Sequence, residues 1–151
     1  MSMNKKDLEI VELLQQDGKL SYSEIGNKIG LSISAVKDRI KKLIHEGIIL
    51  RNVYIVNPVE LGLNICAFIQ LVTPDPLDEP KFKKLIDLIP EVLECHSITG
   101  EFSYLLKVRV KDTQELEKLL SNKIKAIKGV SKTNSMITLT TSTERTQFKV
   151  I

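Results

Sequence analysis

Four basic side chains, Lys37, Arg39, Lys41 and Lys42, fall within six residues of the stretch "LSISAVKDRIKKLIHEGII" that runs from Leu31 to Ile49. Ile33, Val36, Ile40 and Leu43 are spaced three, four and three apart, so a helix here turns its apolar residues to one side. Ser34, Lys37, Asp38, Lys41 and Lys42 are then outward, with Arg39 towards the edge. That is a chemistry for an acidic partner. Lys and Arg draw phosphates, and a DNA major groove that admits one helix offers base edges to Ser, Lys and Arg. A Lys-rich helix face is also, commonly, nothing more than a solvated surface.

The remaining reactive residues do not combine into a catalytic set. His45 and His96 lie in different segments, and Cys95 and His96 are neighbours on an expected strand, where adjacent side chains point to opposite faces and cannot clasp one metal. Neither glycine-rich phosphate-binding pattern is present, and no nucleophile can be paired with a base. The expectation is a non-enzyme without metal or cofactor. Cys66 and Cys95 both sit in apolar runs and read as core residues of a protein in a reducing compartment. No run approaches the ~18 apolar residues of a membrane span, and the start "MSMNKKDLEI" lacks the apolar stretch of a secretion signal, so a cytoplasmic protein without a membrane partner is expected.

The elements around the basic helix decide between its two readings. Asn4 can cap a first helix with Leu8, Val11 and Leu14 on one face, ended near Gly18. Ser21 and Glu24 have the spacing of a reciprocal capping box ahead of a short helix carrying Ile25 and Ile29 and stopped at Gly30. Ser32 caps the third helix and Gly47 ends it. Two short helices, a tight "IGLS" turn and a longer basic helix are the grammar of a helix-turn-helix. Lys41 and Lys42 are expected on phosphates, and Ser34, Lys37 and Asp38 nearer base edges; Arg39, Ser32, and Ser21 and Tyr22 of the second helix complete the candidate DNA-binding set. "IILRNVYIV" reads as a two-stranded wing. "NPVELG", residues 57–62, breaks the periodicity as a linker between a DNA-binding domain over 1–56 and a second domain over 63–151.

That second domain changes rhythm. "LNICAFIQLV" is a buried-strand run, "TPDPLDEP" a loop, and Phe82, Leu85, Ile86 and Ile89 a helical stripe stopped at Pro90. "VLECHSIT" and "YLLKVRV" read as strands joined at "GEFS"; Asp112 and Glu115 open a helix with Leu116, Leu119, Leu120, Ile124 and Ile127 inward; "VSKTNSMITLTT" is the last strand. The order βαββαβ predicts a ferredoxin-like split sandwich with two helices on one sheet face. The open face is expected to be buried by a second copy. The fold class is therefore α+β, a winged helix-turn-helix followed by a ferredoxin-like sandwich.

"DLEIVELLQQDGKLSYSEIGNKIGLSISAVKDRIKKLIHEGII", then "NPVELG", "ITGEFSYLLKVRV" and "GVSKTNSMITL", together resemble the leucine-responsive regulatory protein and AsnC (feast/famine) family over nearly the whole chain. The resemblance implies a transcription regulator whose second domain, ACT-like in fold, senses a small effector, commonly an amino acid. It implies a dimer that assembles further to tetramers or octamers and binds double-stranded DNA at pseudo-palindromic sites. By the same resemblance the effector lies between neighbouring dimers against Thr99, Gly100, Glu101, Phe102, Ser103 and Tyr104, with Thr133, Ser135 and Thr138 of the last strand as further candidates. Strand alternation lets only some of those three face one space. The family loop usually reads Gly-Asp-Tyr/Phe-Asp-Tyr, and Ser103 replaces its second carboxylate here, which favours a neutral effector such as glutamine or leucine over a basic one. The rival reading is a non-catalytic metabolite-binding module whose basic helices contact RNA or protein.

Overall fold

Three side-chain caps start the first three helices. A computed structural model describes residues 3–73 and 79–150. The Asn4 carboxamide oxygen accepts the Asp7 N–H at 2.9 Å and opens α1, Lys5–Gln16. Ser21 and Glu24 make both halves of a capping box at the start of α2, Tyr22–Ile29, which ends on Gly30 at φ +70°. The Ser32 hydroxyl accepts the Ala35 N–H at 3.2 Å and opens α3, Ile33–His45. Each cap satisfies an amide that the helix itself leaves without a partner.

Ile10, Val11, Ile25, Ile29, Val36, Ile40 and Leu43 form the core of this helical unit. The buried face of α1 runs through Asp7, Ile10 and Val11 rather than through Leu8, which is half-buried. Ile33 was expected inward with Val36, Ile40 and Leu43 but is 56% exposed: it is the first residue of α3, in a turn that projects past the core. The expected ribbon over "IILRNVYIV" carries no strand pairing. Its central "RN" lacks the glycine that a tight hairpin turn favours, and Asn52 instead donates to the Gly18 carbonyl at 2.9 Å while Lys19 lies 5.3 Å from the Tyr54 ring centre.

Contacts divide the chain into two compact units, Met1–Ile55 with Thr143–Ile151, and Val56–Ser142. The tail, counted with the second domain from sequence, groups with the helices. Gln15 and Phe148 exchange two hydrogen bonds, 3.2 and 3.1 Å, and Val150 packs against the helical core.

The second unit is βαββαβ, an α/β sandwich. Its strands are β1 Ile65–Val72, β2 Val92–Ser97, β3 Tyr104–Val110 and β4 Lys132–Ile137; its helices are α4 Glu79–Asp87 and α5 Thr113–Lys118. The sheet order is β2-β3-β1-β4 with every neighbour antiparallel. Ala67, Ile69, Leu71, Leu106 and Val108 meet Phe82, Ile86 and Ile89 from one helix and Leu116, Leu119, Ile124 and Ile127 from the other side of the sequence. The chain after α5 winds as a π-helix over Leu119–Ile124. In an α-helix Leu119 and Ile124 would point about 140° apart; the wider turn keeps both inward. Glu79 and Pro80 belong to α4 rather than to the expected "TPDPLDEP" loop, and residues 74–78 of that loop lie outside the described residues.

Two core expectations are corrected here. Leu85 is 45% exposed, on the outer side of α4. Cys66 is buried, but Cys95 is exposed, because β2 is an edge strand with neighbours on one side alone. The sheet face away from the helices carries the half-buried Phe68 and Leu105 together with polar pairs, Lys107 to Glu94 at 3.1 Å and Asn134 to Gln70 at 2.9 Å. No helix among the described residues is long and apolar enough to cross a membrane.

Candidate nucleic-acid interface and effector loop

Helix α3 is placed by its neighbours through three contacts that local sequence patterns do not announce. Gly26, on α2, is buried, and its carbonyl accepts the Leu31 N–H at 3.0 Å; a Cβ at Gly26 would stand 2.5 Å from the Leu31 carbonyl oxygen. Arg39 reaches across to α1 and donates to Asp7 at 2.7 Å, and Asp7 is 5% exposed. Lys6 donates to the Ile29 carbonyl at 2.6 Å, tying α1 to the end of α2. A bare carboxylate in that core would be costly, so the Arg39 guanidinium is what makes Asp7 tolerable there. Arg39 therefore has a structural partner, which sets it apart from the other DNA candidates.

The outward side of α3 is free for a ligand. Ser34, Lys37, Asp38, Lys41 and Lys42 are all exposed. Lys42 lies 3.8 Å from Glu46, while neither Lys37 nor Lys41 has an ion-pair partner among the described residues. Ser32 is committed to the cap of α3 and also lies 3.1 Å from the Ser34 hydroxyl. Ser21 is committed to the capping box: its hydroxyl donates to Glu24 at 2.7 Å and its N–H at 2.8 Å. Those bonds, the hydroxyl's first and the backbone's second, hold the Glu24 carboxyl below the usual carboxylate range. Tyr22 is exposed at the first position of α2. Ile33, outward at the start of α3, joins this surface without having been expected; its apolar type hid it.

The loop between β2 and β3 closes over the far end of β1. Ser103 donates its N–H to the Leu71 carbonyl at 2.9 Å and its hydroxyl lies 3.4 Å from the Thr73 amide, while the Ile98 N–H bonds the Ser103 carbonyl at 2.9 Å. Gly100 sits at φ +121°, a conformation that a side chain disfavours. Thr99, Gly100 and Glu101 are exposed, and Phe102 and Ser103 half-buried. Tyr104 is different: its ring is buried in the core with its centre 4.4 Å from that of Phe82, so it supports the loop from beneath.

The last strand meets this loop at one end only. Thr133 pairs with Leu71, beside the loop, and Ser135 with Ile69, on the same side of the sheet. Thr138 follows β4 and bonds the Cys66 carbonyl at 2.9 Å. It lies about 17 Å along the strand from Thr133, so within one protomer the loop gathers Thr133 and not Thr138. Sequence reasoning missed Lys132, whose ammonium bonds Glu101 and stands 5.2 Å from the Phe102 ring centre. Its partners are 31 and 30 residues away, beyond any local pattern. Among the described residues, no three His, Cys, Asp or Glu side chains come together to hold a metal ion.

Comparison with known proteins agrees with both units. Residues 3–49 match the family model for winged helix-turn-helix DNA-binding domains, and residues 66–148 match that of the Lrp/AsnC ligand binding domain. The chain is 36% identical over 135 residues to the proline dehydrogenase transcriptional activator of Rhizobium radiobacter, covering 88% of this chain and 86% of that one. It is 32% identical over 149 residues to the leucine-responsive regulatory protein of Haemophilus influenzae, covering 96% and 88%. A transcriptional regulator from Neisseria meningitidis solved in complex with L-Met superposes with a TM-score of 0.89 at 27% identity, over 97% of this chain and 96% of that one. Two matched domains in the right order, spanning most of the chain, make this protein a transcription regulator of the Lrp/AsnC family, a family of DNA-binding regulators rather than enzymes.

Proposed function

We propose that α3 enters the major groove of double-stranded DNA and that a neutral amino acid at the 99–104 loop modulates that binding. The carrying observation is the outward face of α3: Ser34, Lys37, Asp38, Lys41 and Lys42 are all exposed, on a helix held from behind by Gly26 and the Asp7–Arg39 pair. Lys41 and Lys42 take phosphates, and Ser34, Lys37 and Asp38, nearer the helix start, take base edges. A homodimer, further assembled to tetramers or octamers, presents pairs of such helices to pseudo-palindromic half-sites in the cytoplasm. The domain bodies are residues 1–56 and 63–151, joined by 57–62, with the tail packed back on the helices.

The effector half of the reading rests on the loop's exposed backbone around Gly100 and on the L-Met complex of the Neisseria relative. Ser103 supplies a hydroxyl where the family pattern has a carboxylate, which favours glutamine or leucine over a basic amino acid. An effector acts by binding one assembly or spacing more tightly than another, and DNA then changes effector affinity by the same factor.

The test is selection from a pool of random duplexes by purified protein at two salt concentrations, with and without the twenty amino acids. A palindromic site whose enrichment responds to the mixture is the expected result. Lys41→Ala and Lys42→Ala are each expected to weaken all sequences alike and to reduce the salt slope by ~0.9. Unselective binding lost at moderate salt would overturn the proposal in favour of an RNA- or protein-contacting module.

A further inference from the structure

We infer that Lys132 and Glu101 form the seat for the two charges of the effector's backbone, Lys132 for the α-carboxylate and Glu101 for the α-ammonium. The inference rests on the effector reading above and assigns a residue, Lys132, that the loop motif does not contain. Lys132 is the first residue of β4 and Glu101 stands at the tip of the β2–β3 loop, yet their side chains are joined by a hydrogen-bonded ion pair. The same ammonium stands 5.2 Å from the centre of the Phe102 ring. One acid, one base and one aromatic face therefore converge at the end of the sheet.

The side chains are loose and the backbone beneath them is not. The side chains of Lys132 and Glu101 are 56% and 69% exposed, so their mutual attraction is screened by water and worth little. The flanking main chain is pinned: Ser103 N–H to the Leu71 carbonyl at 2.9 Å, and Ser131 N–H to the Val72 carbonyl at 3.0 Å. A ligand can thus part the two charged groups without rearranging the sheet. A zwitterionic amino acid offers the complementary couple, and inserting it exchanges one weak ion pair for two charge-assisted hydrogen bonds. Its side chain is then left to the half-buried Phe102 ring.

The arithmetic of charge also selects the ligand class. Lys132, Glu101 and a zwitterion sum to zero, so a neutral side chain leaves the seat balanced. An acidic or basic side chain adds a charge for which the Lys132–Glu101 couple has no further partner. Preference for neutral amino acids follows from this seat independently of Ser103.

The experiment is calorimetric titration of the full-length chain with L-leucine, L-glutamine and L-methionine, and with the α-amide of whichever binds. The amide keeps the ammonium and the side chain but has no carboxylate. The wild type is expected to bind the acid at least tenfold more tightly than the amide. In Lys132→Met that discrimination should collapse to within about twofold, through weaker binding of the acid with the amide unchanged. Glu101→Gln should instead collapse discrimination between the amino acid and its des-amino analogue. Wild-type protein that binds an amino acid while Lys132→Met discriminates as before overturns the seat and leaves the effector reading standing. Wild-type protein that binds none of the twenty amino acids overturns both.

Discussion

Gly26→Ala sets helix propensity against close packing, and the two can be weighed. Within a helix the change alone favours stability by about 1 kcal/mol. Here the new Cβ would stand 2.5 Å from the Leu31 carbonyl oxygen, where ordinary contact begins at 3.4 Å. Backbone must therefore retreat by most of an ångström in the turn between α2 and α3. Overpacking of this kind costs about 1–3 kcal/mol, and the Leu31 N–H bond to the Gly26 carbonyl, 3.0 Å, is worth about 1 more if the retreat breaks it. The clash wins, with a net loss of about 2 kcal/mol. Gly18→Ala is the control. A Cβ there meets the Asn52 Oδ1 at 2.8 Å, which is the far end of a side chain able to swing aside, so the expected change is within about 0.5 kcal/mol. Thermal unfolding should show a drop on the order of 10 °C for Gly26→Ala and almost none for Gly18→Ala, with DNA affinity lost in the first alone. A Gly26→Ala protein as stable as wild type would refute the claim that close approach of α2 to the turn positions α3.

The Asp7–Arg39 pair should respond asymmetrically. Arg39→Met strands a carboxylate that is 5% exposed and should cost about 2 kcal/mol, discounted because Arg39 itself is a third exposed; Asp7→Asn leaves an arginine able to turn to water and should cost about 1. Equal losses in urea denaturation would count against this. Glu24 has a carboxyl held low by the Ser21 hydroxyl and N–H, so its stabilising effect is present above the ordinary value of 4.5 and is lost as pH falls through the depressed one. The gap in melting temperature between wild type and Glu24→Ala should accordingly narrow on acidification below about pH 4.5, and a gap that widens would reverse the assignment. Ser103→Asp restores the family's second loop carboxylate and should move preference from glutamine towards lysine in parallel titrations; an unchanged preference would remove Ser103 as a determinant.

What the sequence made legible was whatever is local. The caps at Asn4, Ser21 and Ser32, the inward Val36, Ile40 and Leu43, and the alternation of β3 all depend on residues within one turn or one strand. Periodicity failed where an element runs past its core. Ile33 and Leu85 fit the apolar stripe but lie beyond the partner surface, and Cys95 lies on an edge strand with no neighbour on its outer side. The functional surfaces were legible as regions rather than as residues. Ser21, Ser32 and Arg39 have the right types for DNA but are held by Glu24, the α3 cap and Asp7, while Tyr104 has the right place in the loop motif but is buried against Phe82. Lys132, Asp7 and Gly26 act through partners that only the folded chain brings near.

The tail gives the two units a second covalent joint. The chain crosses between them once at 55–56 and again at 142–143, and the returning segment is anchored where Gln15 exchanges hydrogen bonds with Phe148. These bonds are exposed, so together they are worth about 1–2 kcal/mol, with the half-buried Val150 adding a little apolar contact. Gln15→Ala should raise the open fraction of the tail about 5- to 30-fold, and trypsin, cutting at Arg145 or Lys149, reads that fraction when opening is fast relative to cleavage. Because the tail continues from β4, which begins at Lys132, releasing it leaves the helical unit joined to the sandwich by residues 55–56 alone. Effector affinity and DNA affinity measured separately should then survive in Gln15→Ala while the factor by which each changes the other falls towards one. Faster tail cleavage with an undiminished coupling factor would show that the 55–56 joint, or contacts between copies, carries the signal instead.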